Sequence, residues 1–186
     1  MRARHFAPAL LLCGAVSAAA QQPAMPRTGD AMVASIRAIY DRVRSNLTRA
    51  ADMMSEHDYG YRPTADVRTF GELIGHIANG NFAFCAAALG VENPNKVNIE
   101  RTVRDRPGLI STLAKSFAWC DPAYQISDAD ASGPAFLMGA QRTRYDALVI
   151  NNSHDDQHYG NIVTYMRLRG LVPPSTQRTD TTRAGG

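Results

Sequence analysis

The chain has 186 residues, 45% of them hydrophobic, which is enough for one domain with a real apolar core. Its formal net charge is only +3, and its basic residues, with Lys96 and Lys115 the only lysines, are scattered rather than interleaved with aromatics. That pattern excludes a nucleic-acid surface, and no apolar run reaches the roughly 20 residues that a membrane-spanning helix needs.

The first twenty residues read as an export signal. Arg2 and Arg4 precede an apolar stretch from Ala7 to Val16, and Ala18-Ala19-Ala20 offers a small-residue cleavage site before Gln21. Cys13 follows Leu12, where lipid attachment requires a small residue, so lipidation is rejected. The expected mature chain is periplasmic or secreted and keeps two cysteines, Cys85 and Cys120. A disulfide and two buried free thiols are both open readings. Cys85 falls near the end of one expected helix and Cys120 well inside the next, an awkward register for a simple helical hairpin.

Residues 21–29, with Pro23, Pro26 and Gly29, read as a flexible lead-in, and Asp30 as the cap of a first helix over about 31–54. Val33, Ile36, Tyr40, Val43 and Leu47 recur there at three- and four-residue steps with Arg37, Asp41 and Arg44 between them. Gly60 and Pro63 break the pattern in a loop where Tyr59 and Tyr61 supply bulk to pack over a bundle end. A second helix over about 69–89 carries Phe70, Leu73, Ile74 and Ile77, and Gly90 ends it. Gly71, Gly75 and Gly80 weaken its propensity but allow a neighbouring backbone or a ligand to come close.

Residues 91–105 are polar and read as the longest loop. Pro107 opens a third helix that ends near Ser127, and a second loop runs from Asp128 to Pro134. The fourth helix runs from about Gly139 to Arg169, stopped by Gly170 and Pro173-Pro174, with a disordered tail from Ser175. No β-alternation is found. The expected fold is all-α, a four-helix bundle over residues 30–174.

The chemistry concentrates in His154-Asp155-Asp156-Gln157-His158 together with His76. Two histidines four apart share one helix face, and a third on an antiparallel neighbour closes a facial three-nitrogen set suited to Zn, Ni or Fe. Ala147, His154, His158 and Tyr165 form a narrow stripe flanked by Ile150, Asn151 and Asn161, a mixture unlike an apolar seam. Buried polar side chains need partners, and a metal ion satisfies two imidazoles at once. Glu72 and Asn79 stand close enough on the second helix to act as outer acceptors for His76, and Glu72 also as a ligand. The bare H-x-x-x-H spacing is a weak motif, and without Glu after the first histidine it does not indicate a zincin protease. Cys85 is excluded as a nucleophile for His76, because nine residues on one helix place them about 180° apart. Ser153 lacks the G-x-S-x-G turn of a triad serine.

Gly75-His76, then His154 through Asn161, then Tyr165-Met166-Arg167-Leu168-Arg169-Gly170-Leu171-Val172-Pro173-Pro174, resemble the DinB/YfiT-like superfamily in order and spacing. The loop Tyr59-Gly60-Tyr61-Arg62-Pro63 leading into Thr69-Phe70-Gly71-Glu72-Leu73 is similar to that family's approach to its first metal histidine. The resemblance covers about residues 30–175. It implies an up-down-down-up four-helix bundle, often dimeric, with a divalent metal, Zn or Ni, on His76, His154 and His158. Gln157 stands where many exported relatives carry Glu, which touches an acid/base or outer role and not the three ligands.

Relatives include thiol-dependent transferases and isomerases as well as metal-dependent hydrolases. Low-molecular-weight thiols belong to the reducing cytosol, so the export signal favours a hydrolase in which the ion's charge acidifies a water. Glu72 is the first candidate for proton transfer and Asp155 the weaker one, because it lies about 100° from His154 and is expected to face solvent. Tyr59, Asn79 and Asn161 are expected to line a pocket for a small-molecule substrate. The alternative is a noncatalytic bundle in which the metal staples two helices.

Overall fold

A computed structural model describes residues 30–177; the expected signal at 1–20, the lead-in at 21–29 and the tail beyond 177 lie outside the described residues. Within them the chain is mostly helical. The elements are α1 (Ala31–Met53), α2 (Phe70–Leu89), α3 (Ile99–Thr102), α4 (Arg106–Cys120), α5 (Asp128–Ala131), a hairpin of β1 (Pro134–Leu137) and β2 (Ala140–Thr143), and α6 (Arg144–Leu168). Single 3-10 turns lie at His57–Gly60, Ala123–Gln125 and Pro174–Thr176.

Local chemistry sets the helix ends. In α2, Thr69 Oγ1 accepts from the Glu72 amide at 3.1 Å while the Glu72 carboxylate accepts from the Thr69 amide at 2.8 Å, a reciprocal cap. Thr143 and Asp146 cap α6 in the same way. The αL conformation of Gly90 (φ 71°) closes α2, as expected from the sequence. At α1 the expected cap by Asp30 is replaced by a distant one. The Asp128 carboxylate accepts from the Met32 and Val33 amides at 3.2 and 2.9 Å, and Asp30 accepts in turn from the Asp128 amide.

Four sequence expectations are corrected. The third helix ends at Cys120 rather than near Ser127, because Pro122 lacks the N–H that the next turn would require. The polar loop 91–105 contains α3. The tail is ordered through Gln177, where the Ser175 amide and the Tyr159 hydroxyl bond at 2.9 Å. The chain also has a β-hairpin where none was expected. Ala135 and Leu137 point inward and Phe136 outward, an alternation only four residues long. The strands are joined by Met138 (φ 53°) and Gly139 (φ 75°), a two-residue turn with both φ positive whose glycine resembles a helix start in the sequence.

The core lies between α1, α2, α4 and α6. Tyr40 and Tyr124 stack at 3.9 Å inside it. Their polar ends are satisfied internally: the Tyr40 hydroxyl donates to the Phe117 carbonyl, and the Tyr124 hydroxyl meets the amides of Asn151 and Asn152. Asn151 thereby accounts for part of the polar stripe on α6.

Two helix pairs run in the same direction. Gly71 lies against Leu109 near the starts of α2 and α4, and Cys85 is bonded to Cys120 near their ends, with Cα atoms 5.2 Å apart. Along α1 and α6, the Ile36 carbonyl accepts from Asn152 and Arg42 faces Asp156. The disulfide question is thereby resolved. The register is awkward only for an antiparallel hairpin, and the long 91–105 connection instead returns the chain so that α4 follows α2.

Candidate metal centre

His76 comes from the middle of α2, and His154 and His158 from successive turns of α6, which runs antiparallel to α2. The ring centroids are 5.0 Å apart for His76 and His154, 4.8 Å for His76 and His158, and 4.5 Å for His154 and His158. One ring nitrogen from each lies within 4.8 Å of the others. The Nε2 atoms of His76 and His154 are 3.2 Å apart, close to the roughly 3.3 Å between two imidazole nitrogens bound at about 2.0–2.1 Å to one tetrahedral ion. The donor set therefore fits a divalent metal.

The Nδ1 atoms of His76 and His154 each face a carboxylate, which leaves the Nε2 side of those two rings for the centre. His76 Nδ1 lies 3.1 Å from Glu100 Oε2, and the other Glu100 oxygen accepts from Arg68 Nε at 2.7 Å. His154 Nδ1 lies 3.3 Å from Asp155 Oδ1, and the Asn161 amide lies 3.4 Å from His158 Nδ1. Donation from Nδ1 to a carboxylate fixes the tautomer and raises the basicity of the other nitrogen.

Two glycines make this arrangement sterically possible. A Cβ on Gly80 would sit 2.6 Å from His154 Cε1, so only glycine leaves that ring its place. A Cβ on Gly75 would sit 2.8 Å from the Cα of Glu100, so glycine there lets α3 lie against α2 and brings Glu100 to His76.

Glu100 is the residue the sequence analysis missed. A four-residue helix carries no periodicity, and the only pointer to it was the room left at Gly75. Glu72, expected at proton transfer, has its carboxylate bonded to the Thr69 amide and placed 3.5 Å from Arg62 and 3.6 Å from Arg104. The Thr69 amide, more than either arginine, holds its pKa below the usual carboxylate range. Asn79 binds Asn95, Asn98 and the Ile99 amide and so shapes the loop, while Tyr59 is buried with its hydroxyl on the Ala51 carbonyl. Asp155 does not face solvent as expected. It is 1% exposed, because α6 packs on both α1 and α2 and buries more than one of its faces.

Burial lowers the pKa of His76, helped by the charges of Arg68 and His154, and pushes His158 down to about 4. Burial pushes Asp155 up to about 6, against the pull of His154. In the metal-free protein, the unfolded chain then protonates both histidines near pH 6.5 while the folded chain does not. Their contribution to stability is present above pH 6.5 and is lost as pH falls below it, for His158 down to about 4. Asp155 acts in the opposite sense, since the folded chain takes up its proton first and gains stability as pH falls through 6. The melting temperature of chelator-treated protein is therefore expected to fall between pH 6.5 and 5, and more steeply in Asp155→Asn, which lacks the offset. A flatter profile in that variant would contradict the assignment.

Glu100→Ala is expected to weaken metal affinity about 10–100-fold while leaving all three ligands in place. Competition against a chelator of known affinity measures this, and an unchanged affinity would remove Glu100 from the site.

Beside the histidines lies an open cleft of about 740 Å³, walled by Leu73, Glu100, Asn161, Tyr165 and four arginines. Glu100 and Asn161 belong to both the cleft and the histidine cluster.

The DinB superfamily profile matches residues 39–162, two thirds of the chain. The chain belongs to the DinB superfamily. Among solved structures, a DinB-like protein from Bacillus cereus is similar with a TM-score of 0.67 at 14% identity, covering 77% of this chain and 97% of that one. A DinB-like protein from Bacillus subtilis gives a TM-score of 0.59 at 22% identity over 77% of this chain and 99% of that one. A mycothiol-dependent maleylpyruvate isomerase gives 0.59 at 18% identity, covering 70% of this chain and 60% of the isomerase. These similarities establish the DinB fold. No curated protein sequence matches.

Proposed function

We propose that this DinB protein is an exported, divalent-metal-dependent hydrolase acting on a small molecule, with His76, His154 and His158 as its metal ligands. The observation that carries the reading is a three-histidine set with no fourth His, Cys, Asp or Glu in its group among the described residues, placed beside a substrate-sized cleft. Zn or Ni suits three neutral imidazoles, and Fe is the further candidate. A bound ion would supply Lewis acidity and lower the pKa of a water.

The protein's own residues do the rest. Glu100 and Asp155 hold the imidazoles of His76 and His154 in orientation. Glu72, on the cleft wall, is ionised and available to accept a proton, although its Thr69 and arginine contacts make it a weak base. The Cys85–Cys120 bond supports the export reading, since such bonds persist in oxidising compartments. The two same-direction helix pairs support an up-down-down-up bundle.

The test is metal content by mass spectrometry on untagged protein, followed by ester, amide and phosphoester turnover with and without chelator. Near-stoichiometric metal lost in His76→Ala and His154→Ala, with chelator-sensitive hydrolysis, supports the reading. Metal-free protein with unaltered folding in both variants overturns it. A thiol-dependent transferase is the second reading, favoured by the likeness to the mycothiol-dependent isomerase. It predicts turnover only when a low-molecular-weight thiol is added.

A further inference from the structure

The cleft beside the histidines is charged in a way the metal site does not require. Arg62, Arg68, Arg101 and Arg104 line it, against Asp66, Glu72 and Glu100. Arg68 is committed to Glu100 at 2.7 Å. Arg62 and Arg104 share the single carboxylate of Glu72, at 3.5 and 3.6 Å. Arg101 makes no ion pair among the described residues. The guanidinium charge in this concavity is therefore only partly neutralised, and most of it stands on side chains that are not locked in close pairs.

We infer that the cleft is an oxyanion subsite, binding the carboxylate or phosphate group of the small-molecule substrate through Arg101 and Arg104, with Arg62 as a third donor. This deepens the proposed function by naming the substrate class, and it rests on that reading for the word substrate. Four features of the cleft support it. Its volume of about 740 Å³ falls within the range of about 300–1,000 Å³ usual for small-molecule sites. A guanidinium presents a planar fork that matches carboxylate and phosphate geometry. The lining sets four guanidiniums against three carboxylates, and a net positive charge in a concave wall favours an entering anion. The cleft also shares Glu100 and Asn161 with the histidine cluster, so a substrate anchored here by one end reaches the metal ligands' surroundings with the other. Arg68 is not part of the clamp; its pairing with Glu100 keeps that carboxylate on His76.

The experiment measures binding and not turnover, so that it succeeds or fails independently of the metal chemistry. Inorganic phosphate and succinate are titrated separately by calorimetry into chelator-treated full-length protein and into His154→Ala. The same titrations are made on Arg101→Ala, Arg104→Ala, their double variant, and Lys115→Ala as a remote basic control. Saturable binding in the chelated protein and in His154→Ala, about tenfold or more weaker in the double variant and unchanged in Lys115→Ala, is the expected result. Phosphate alone or succinate alone tells which oxyanion the cleft prefers. Absence of saturable binding by both, or equal weakening in Lys115→Ala, overturns the inference even if the protein proves to be a metal hydrolase. Arg101→Gln and Arg104→Gln, with circular dichroism matching wild type, guard against a folding artefact.

Discussion

Breaking the Cys85–Cys120 bond is expected to cost about 4 kcal/mol, from the closure entropy of a loop with a 35-residue separation. For a chain of this length that corresponds to a fall in melting temperature of roughly 8–16 °C. Both sulfur-bearing residues are fully buried, so a mild reductant does not reach them in the native state. The comparison is therefore made in urea, with and without reductant, and reads the shift in midpoint. The Cys85→Ala/Cys120→Ala variant should lose at least as much, because two small cavities join the lost cross-link. The loss falls on the α2–α4 contact and leaves the three histidines untouched. Metal stoichiometry should thus survive reduction wherever the protein remains folded. A midpoint unchanged by reductant would show that packing along α2 and α4 holds the pair without the bond.

Gly80→Ala is expected to separate metal affinity from folding. An exposed or tolerant helix position gains about 1 kcal/mol when Gly becomes Ala. Here the added methyl would come within 2.6 Å of His154 Cε1 and 2.9 Å of its Nδ1, so the ring must leave its position. Losing one of three ligands, together with its Asp155 bond, should weaken metal binding on the order of 100-fold or more. The melting temperature of the metal-free variant should meanwhile stay near wild type, because the displaced ring is partly exposed and can swing outward. Calorimetric metal titration beside thermal denaturation reads both quantities. Full metal affinity in Gly80→Ala would mean that the ring in its position here is not the ligand.

The parts of this molecule that were legible in the sequence are those written in long periods. α1, α2 and α6 follow from apolar spacing, and α2 and α6 end at glycines the chain announces. The three histidines follow from one face of α6 and one position on α2. What was not legible depends on chain reversal over distance. The direction of α4 relative to α2 is set by the 91–105 connection, and with it the pairing of Cys85 with Cys120. Glu100 sits on a helix too short to have a period, and the hairpin alternates for only four residues per strand. Asp155 shows the converse failure. A helical wheel gives angles around one helix, but α6 is covered by two neighbours, so an angle of about 100° from His154 leads into protein and not into water.

One helix, α2, carries both cross-linking features, and they close loops of different size. The disulfide joins residues 35 apart, and the histidine contact from α2 to α6 joins residues 78 apart. A growing chain that has reached the hairpin already contains everything the sulfur bond needs, yet holds only one of the three imidazoles. On the proposed metal reading, the partners of the sulfur bond are complete before the last helix exists, whereas three imidazoles can share an ion only after that helix has docked. The ion that the proposed site takes is then set by the metal available where the finished chain resides.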